Sequence, residues 1–286
     1  MTRSGAVRSG SVPAPAPAAA PAPVVVSTGR REPRGPRRLG LWRLEWLRLV
    51  RTRRWLLLVV AYPGAGLVGP VFAKHRDEIL KALRIDGVAP ATGMGADSGM
   101  AVYSYGVAQV GILVALALMA GALAVDHRPG LAAFHRTRLR RPRDLVLPRF
   151  TVTTVAVSVA YLLGTLIAWA QVHWMFGPLP ARSVLYGAGF GVASLLMSLS
   201  LVAATAALLR RPVAIFGTAL IALLVWPLAS LWRPLRRWLP TELNSAQVEL
   251  LRGHTAGEYG DNLCVALGLS AVLVWFAVWR IGRREM

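Results

Sequence analysis

Long apolar runs alternate with charged segments along this chain. Six runs (55–73, 103–125, 150–172, 184–209, 212–232 and 263–279) contain no Asp, Glu, Lys or Arg. A helix needs about 20 mostly apolar residues to cross a hydrocarbon core of roughly 30 Å. A buried helix of a soluble domain is usually shorter and keeps one polar face. The pattern therefore predicts an all-α membrane protein with six transmembrane helices.

Ahead of the first run, residues 40–54 read GLWRLEWLRLVRTRR. Leu41, Leu44, Trp46, Leu47, Leu49 and Val50 recur at near-helical spacing, and Arg43, Glu45, Arg48, Arg51, Arg53 and Arg54 fill much of the other side. Trp and Leu opposite Arg is the make-up of a helix lying in the membrane interface. The plainer alternative is an extension of the first span, with the arginines marking the membrane boundary. Before it, residues 1–38 alternate Pro and Ala and then collect Arg30, Arg31, Arg34, Arg37 and Arg38. Such a segment buries too little apolar area to order itself. It reads as a disordered Pro/Ala/Arg-rich cytoplasmic tail, leaving 39–286 as the membrane domain. No apolar core of a cleaved leader appears in it, so the first span is expected to serve as the insertion signal.

Composition changes the picture at one point. A net charge of +20 would suit nucleic acid if it formed one patch, but the charge follows the spans. If the six spans alternate from a cytoplasmic N-terminus, the inner segments hold 24 Lys/Arg against 5 Asp/Glu, and the outer segments 9 against 8. This is the positive-inside asymmetry; it predicts a multi-pass protein of the cytoplasmic membrane with both termini inside. The arginines then report topology and attraction to anionic headgroups. A nucleic-acid partner is not expected; membrane lipid is.

Loop composition adds detail. The inner segment 126–149 is rich in Arg and interrupted by Pro129, Pro142 and Pro148. In the outer segment 233–262, TELNSAQVELLRG predicts a short helix, with Asn244 as its cap, Gln247 three residues on and Gly253 at its end. On the fourth span Gly187, Gly191, Ser194 and Ser198 share one face, which favours close helix packing. That packing is either within the subunit or against a second copy.

The catalytic and metal-binding vocabulary is thin. Gly64, Gly66 and Gly69 spell GxGxxG, but inside a hydrophobic span rather than between a strand and a helix, so no nucleotide site follows. There is no Walker A sequence and no HExxH, the five histidines are scattered, and Cys264 is alone. No catalytic residue and no metal site are expected. The spans carry no Asp, Glu, His, Lys or Arg, so the usual proton relay of an ion-driven carrier is missing. Gln109, Gln171, small hydroxyls and aromatic groups are the polar handles that the spans offer.

An interfacial basic helix, six spans with both ends inside, a largest inner loop between spans two and three, and a helix-bearing outer loop before span six together resemble the permease subunit of a type-2 ABC exporter. The likeness covers about 40–286. In the inner loop Asp126, Gly130, Leu131, Phe134, Leu139, Arg140, Pro142, Arg143 and Arg149 occupy the places of that family's coupling segment, although the acidic residue expected after the glycine is absent. The resemblance implies that this loop docks on a separate ATPase chain. It implies that the 41–54 helix, with Trp42, Glu45, Trp46 and Arg48, is the connecting helix. It also implies that two permease copies, identical or related, pair in the membrane. ATP and Mg would be bound by the partner ATPase, none by this chain, and the cargo would be an amphiphilic compound. A secondary carrier or a scaffold of a membrane complex is the alternative.

Overall fold

A computed structural model describes residues 38–82, 95–124, 143–231, 240 and 242–284. The 1–38 tail (but for Arg38) and the coupling segment up to Pro142 lie outside the described residues. Every regular element among the described residues is helical. Helix α1 (Arg38–Arg51) is followed by α2 (Arg54–Ala61) and α3 (Pro63–Lys74), then α4 (Arg76–Ala82). Next come α5 (Ala96–Gly106), a π turn (Val107–Gly111) and α6 (Ile112–Leu123). The chain continues through α7 (Arg143–Phe176), α8 (Ala181–Leu208) and α9 (Pro212–Val225), which runs into a 3-10 segment, Trp226–Leu231. Helix α10 (Glu242–Leu251) precedes a short 3-10 turn, Ala256–Tyr259, and α11 (Gly260–Arg284).

Five of these stretches are long and apolar enough to cross a membrane: Arg54–Lys74, Ala96–Leu123, Val146–Phe176, Ala181–Leu208 and Ala256–Arg283. They match five of the expected runs and extend most of them by several residues. The run at 212–232 differs. It forms the shorter apolar helix Pro212–Leu228, because the α-helical part ends at Val225 and continues as a 3-10 segment that contains Pro227. Proline cannot supply the backbone N–H that an α-helix needs there.

The bundle carries large apolar side chains on its outer surface, which water would penalise and lipid would not. Val60, Leu67 and Val68, Val213, Ile221 and Leu224, and Val272 and Trp275 are all exposed. This is the build of a multi-pass membrane protein. Helix α8 is the centre: 78% of its apolar stretch is buried, against 22% for α11. Around it stand α6, α7, α9, α10 and α11.

Close approach of backbones sets the packing of the other spans. Gly66 of α3 lies directly on the Gly164 carbonyl of α7, and a Cβ added to Gly164 would stand 2.6 Å from the Tyr62 carbonyl oxygen. Gly69 leaves room for the Tyr103 backbone, which a Cβ would meet at 3.1 Å. Two glycines of the GxGxxG spelling are therefore packing positions, the small-residue device of membrane helices. Between α1 and α2, Arg53 takes a left-handed backbone (φ 54°). This is a sparsely populated conformation for a residue with a side chain, and it separates α1 from the first span.

Candidate functional site

Two places in the bundle hold polar chemistry. The first is at the end where α1 meets the spans. Glu45 of α1 accepts a hydrogen bond from Arg149 Nε at 2.9 Å, with Arg48 3.6 Å from its other oxygen. Arg149 is only 6% exposed, and a further guanidinium nitrogen donates to the Ala122 carbonyl at 3.4 Å. A buried guanidinium is tolerable only when paired and hydrogen-bonded. One side chain of α7 thus binds α1 and the last turn of α6 together. Of the connecting-helix residues, Trp42, Trp46 and Arg48 are exposed and Glu45 is the one drawn inward. In the coupling segment, Asp126, Gly130, Leu131, Phe134, Leu139, Arg140 and Pro142 lie outside the described residues. Arg143 opens α7, two turns before Arg149.

The second place is a polar seam between α5, α7, α8 and α10. The short helix expected over 241–252 is present as α10, and it packs along α8 and α5. Ser194 Oγ donates to Asn244 Oδ1 at 2.6 Å. A Cβ on Gly187 would meet the Gln247 Cα at 2.7 Å. At 1.5 Å per residue, Ser194 lies about 20 Å along α8 from its first residue, and Gly187 about 9 Å. Helix α10 therefore starts near the middle of α8 and rises antiparallel to it. It ends at the level where Arg252 pairs with Asp97, 3.7 Å away at the start of α5. Leu243, Ala246 and Leu250 fill a small core with Phe190, Ala193, Tyr259 and Ala266.

This placement corrects the reading of Asn244 as a cap. The helix begins at Glu242, and Asn244 and Gln247, three residues apart, turn one polar face to the bundle. Gly253 does follow the helix end, with φ 103°, the left-handed backbone that glycine supplies at a helix C-terminus.

Around Gln247 the bonding is dense but incomplete. Tyr161 donates to Gln247 Oε1 at 3.2 Å, and Ser104 Oγ stands 3.3 Å from the same oxygen and 3.0 Å from the Met100 carbonyl. The two hydroxyls set the amide so that Nε2 points away from them. That nitrogen is buried and has no partner. Beneath, Tyr103 reaches Thr165 Oγ1 at 3.0 Å and the Tyr161 carbonyl at 3.2 Å. Tyr62 donates to the Gly111 carbonyl at 3.0 Å, at the π turn, a helix irregularity often found at functional positions. Gly191 leaves space for the Tyr161 phenol, which a Cβ would displace.

The face of small residues on α8 is therefore occupied within the subunit. Gly187 receives Gln247, Gly191 receives Tyr161, and Ser194 binds Asn244, while Ser198 donates to the Ser194 carbonyl at 2.9 Å. Sequence reasoning named these four, and pointed to the hydroxyls and aromatic groups of the spans as a class without singling out Tyr103, Tyr161 and Thr165. Gln109, one of the two amides expected as handles, is exposed. Gln171 is partly buried, with its Oε1 lacking a partner.

Glu242, assigned to an outer loop by sequence, stands at the first residue of α10 and so near mid-depth of α8. No group of three or more His, Cys, Asp or Glu side chains suited to a metal occurs among the described residues. Comparison with protein-family models, with curated proteins and with solved structures finds no match for this chain.

Proposed function

We propose that this chain is the membrane-spanning permease subunit of an ATP-driven exporter of the type-2 ABC kind. It would move an amphiphilic compound across the cytoplasmic membrane, with a separate ATPase chain docked on the 126–149 segment and a second permease copy beside it. The observation that carries the reading is the Glu45–Arg149 pair. It fastens α1 to the first turns of α7, the span that leaves the basic segment. A push on that segment is then shared by α1, α6 and α7 as one body, which is what an external motor requires.

Other features support the same reading. Pro212–Leu231 measures about 33 Å when the α part is counted at 1.5 Å and the 3-10 part at 2.0 Å per residue, enough for a sixth crossing. Helix α1 exposes Trp42, Leu44, Trp46, Leu47 and Val50, as a helix at the membrane interface does. Six crossings then leave both termini on the side of the arginines. Helix α10, reaching half-way into the bundle before the last span, suits an exit at the outer leaflet.

A Walker-A-containing ATPase in a neighbouring reading frame is expected, and co-expression with it tests the proposal. The pair is expected to co-purify and to transport in a vanadate-sensitive manner, and Leu131→Asp with Phe134→Asp is expected to abolish co-purification. Undiminished co-purification of the double variant would reject docking through this segment.

Glu242 favours a second reading, an ion-coupled secondary carrier, since a carboxylate near mid-depth is what proton or cation coupling uses. Transport by the purified chain without an ATPase, dependent on a proton gradient and lost in Glu242→Gln, would establish it.

A further inference from the structure

A cavity of about 30 Å³ lies where α1, α2, α6 and α7 meet. Glu45, Arg48, Arg54 and Thr153 supply its polar wall, and Leu118 and Val152 part of its apolar one. That is room for about two water molecules, or for two oxygens of a phosphate group. Positive charge is in excess there. Glu45 is the one carboxylate of the wall, and Arg149 Nε already holds it at 2.9 Å. Arg48 stands 3.6 Å from its other oxygen. Arg54 has no ion pair or hydrogen bond among the described residues. Both guanidiniums can be reached, since the Arg48 side chain is 44% exposed and Arg54 is half-buried. The Arg54 side chain extends to the last turn of α6, where a Cβ on Gly121 would stand 3.7 Å from its Nη1. Thr153 also has no hydrogen bond among the described residues.

We propose that this cavity binds the phosphate of an anionic glycerophospholipid, in the leaflet on the side of the arginines. Arg54 supplies an unused planar fork for two phosphate oxygens, Arg48 a second positive charge, and Thr153 a hydroxyl donor. Position favours a lipid over a free anion. Arg54 opens the first span, while Leu118 and Val152 belong to the second and third. Trp55, Leu56 and Leu57, which follow Arg54, are exposed apolar side chains against which acyl chains can lie. Basic segments attract anionic headgroups in general; here the attraction is assigned to one cavity and two arginines. The site rests on the chain lying in a bilayer and not on ATP-driven transport, so it is tested on the chain alone.

The purified full chain is titrated with phosphatidylglycerol, phosphatidylcholine or diacylglycerol of the same acyl chains, and bound lipid is counted by native mass spectrometry. One phosphatidylglycerol is expected to bind on the order of tenfold more tightly than phosphatidylcholine, whose choline cation meets the two arginines. Arg54→Gln, at a residue with no internal partner to lose, is expected to weaken it by on the order of tenfold, the equivalent of one charge-assisted hydrogen bond. Thr153→Val is expected to weaken it by about threefold. Arg51→Gln removes the same charge from an exposed position outside the cavity wall, and is expected to change little. Equal losses in Arg54→Gln and Arg51→Gln would reduce the effect to diffuse surface charge and overturn the proposal. Equal retention of phosphatidylglycerol and diacylglycerol would overturn it as well. Displacement of the bound lipid by inorganic phosphate would assign the cavity to the free anion and reject the lipid. Because no ATPase is present, failure here leaves the motor-driven reading standing, and failure of ATPase docking leaves this site standing.

Discussion

The two polar places in this bundle solve burial in opposite ways. At the α1 end a full charge is buried and paired: Glu45 neutralises Arg149, and the Ala122 carbonyl takes a further hydrogen. In the seam beside α10 the side chains bonded around Gln247 are neutral, and the bonding stops short, with Gln247 Nε2 left over. A buried ion pair tolerates no missing member, since the survivor keeps its desolvation cost. A neutral network tolerates a gap at modest cost. The first place is suited to holding elements rigidly together; the second leaves bonding capacity unused.

The contrast can be broken by substitution, and the effects fall in a definite order. Arg149→Ala strands Glu45 and is expected to cost about 3 kcal/mol, read as a lower midpoint of denaturant unfolding in detergent. The charge-reversed double variant Glu45→Arg with Arg149→Glu is expected to recover part of that loss. Gly66→Leu forces α3 away from the Gly164 carbonyl and is expected to cost about 2 kcal/mol by the same assay. Ser194→Ala removes one interhelical hydrogen bond and is expected to cost about 0.6 kcal/mol. Gln247→Leu is smallest, within about 0.5 kcal/mol of zero, because the loss of the Tyr161 contact is offset by removing an unpartnered donor. If Gln247→Leu proves as damaging as Arg149→Ala, the distinction between a closed and an open polar place fails.

Much of the fold was legible because lipid imposes a simple rule: a helix that crosses must be apolar for its whole length. Five spans followed from runs of uncharged residues, and a helix ahead of the first span from the near-helical spacing of Trp and Leu. The sixth run was legible in composition, while its geometry turned on Pro227, at which α-helical bonding has given way to 3-10. The seam was the least legible part. TELNSAQVELL is polar enough to read as a surface helix, and Asn244 and Gln247 looked like capping chemistry. Their partners, Ser194 and Tyr161, lie 50 and 86 residues away, and no spacing rule reaches that far. The small face of α8 could be seen, but not that α10 and Tyr161 would fill it. Glu45 and Arg149, 104 residues apart, were each singled out without being joined.

The claim on which the comparison depends is that α10 enters the bundle to half the depth of α8. Disulfide trapping tests it most directly, with Ser194→Cys and Asn244→Cys in a chain whose Cys264 is replaced by Ser. A mild oxidant in native membranes is expected to link positions 194 and 244 rapidly, and a bifunctional maleimide to link a Cys pair at 97 and 252, whose contact runs through the long Arg252 side chain. Efficient linkage of 97 to 252 with none between 194 and 244 would place α10 at the surface and contradict the account.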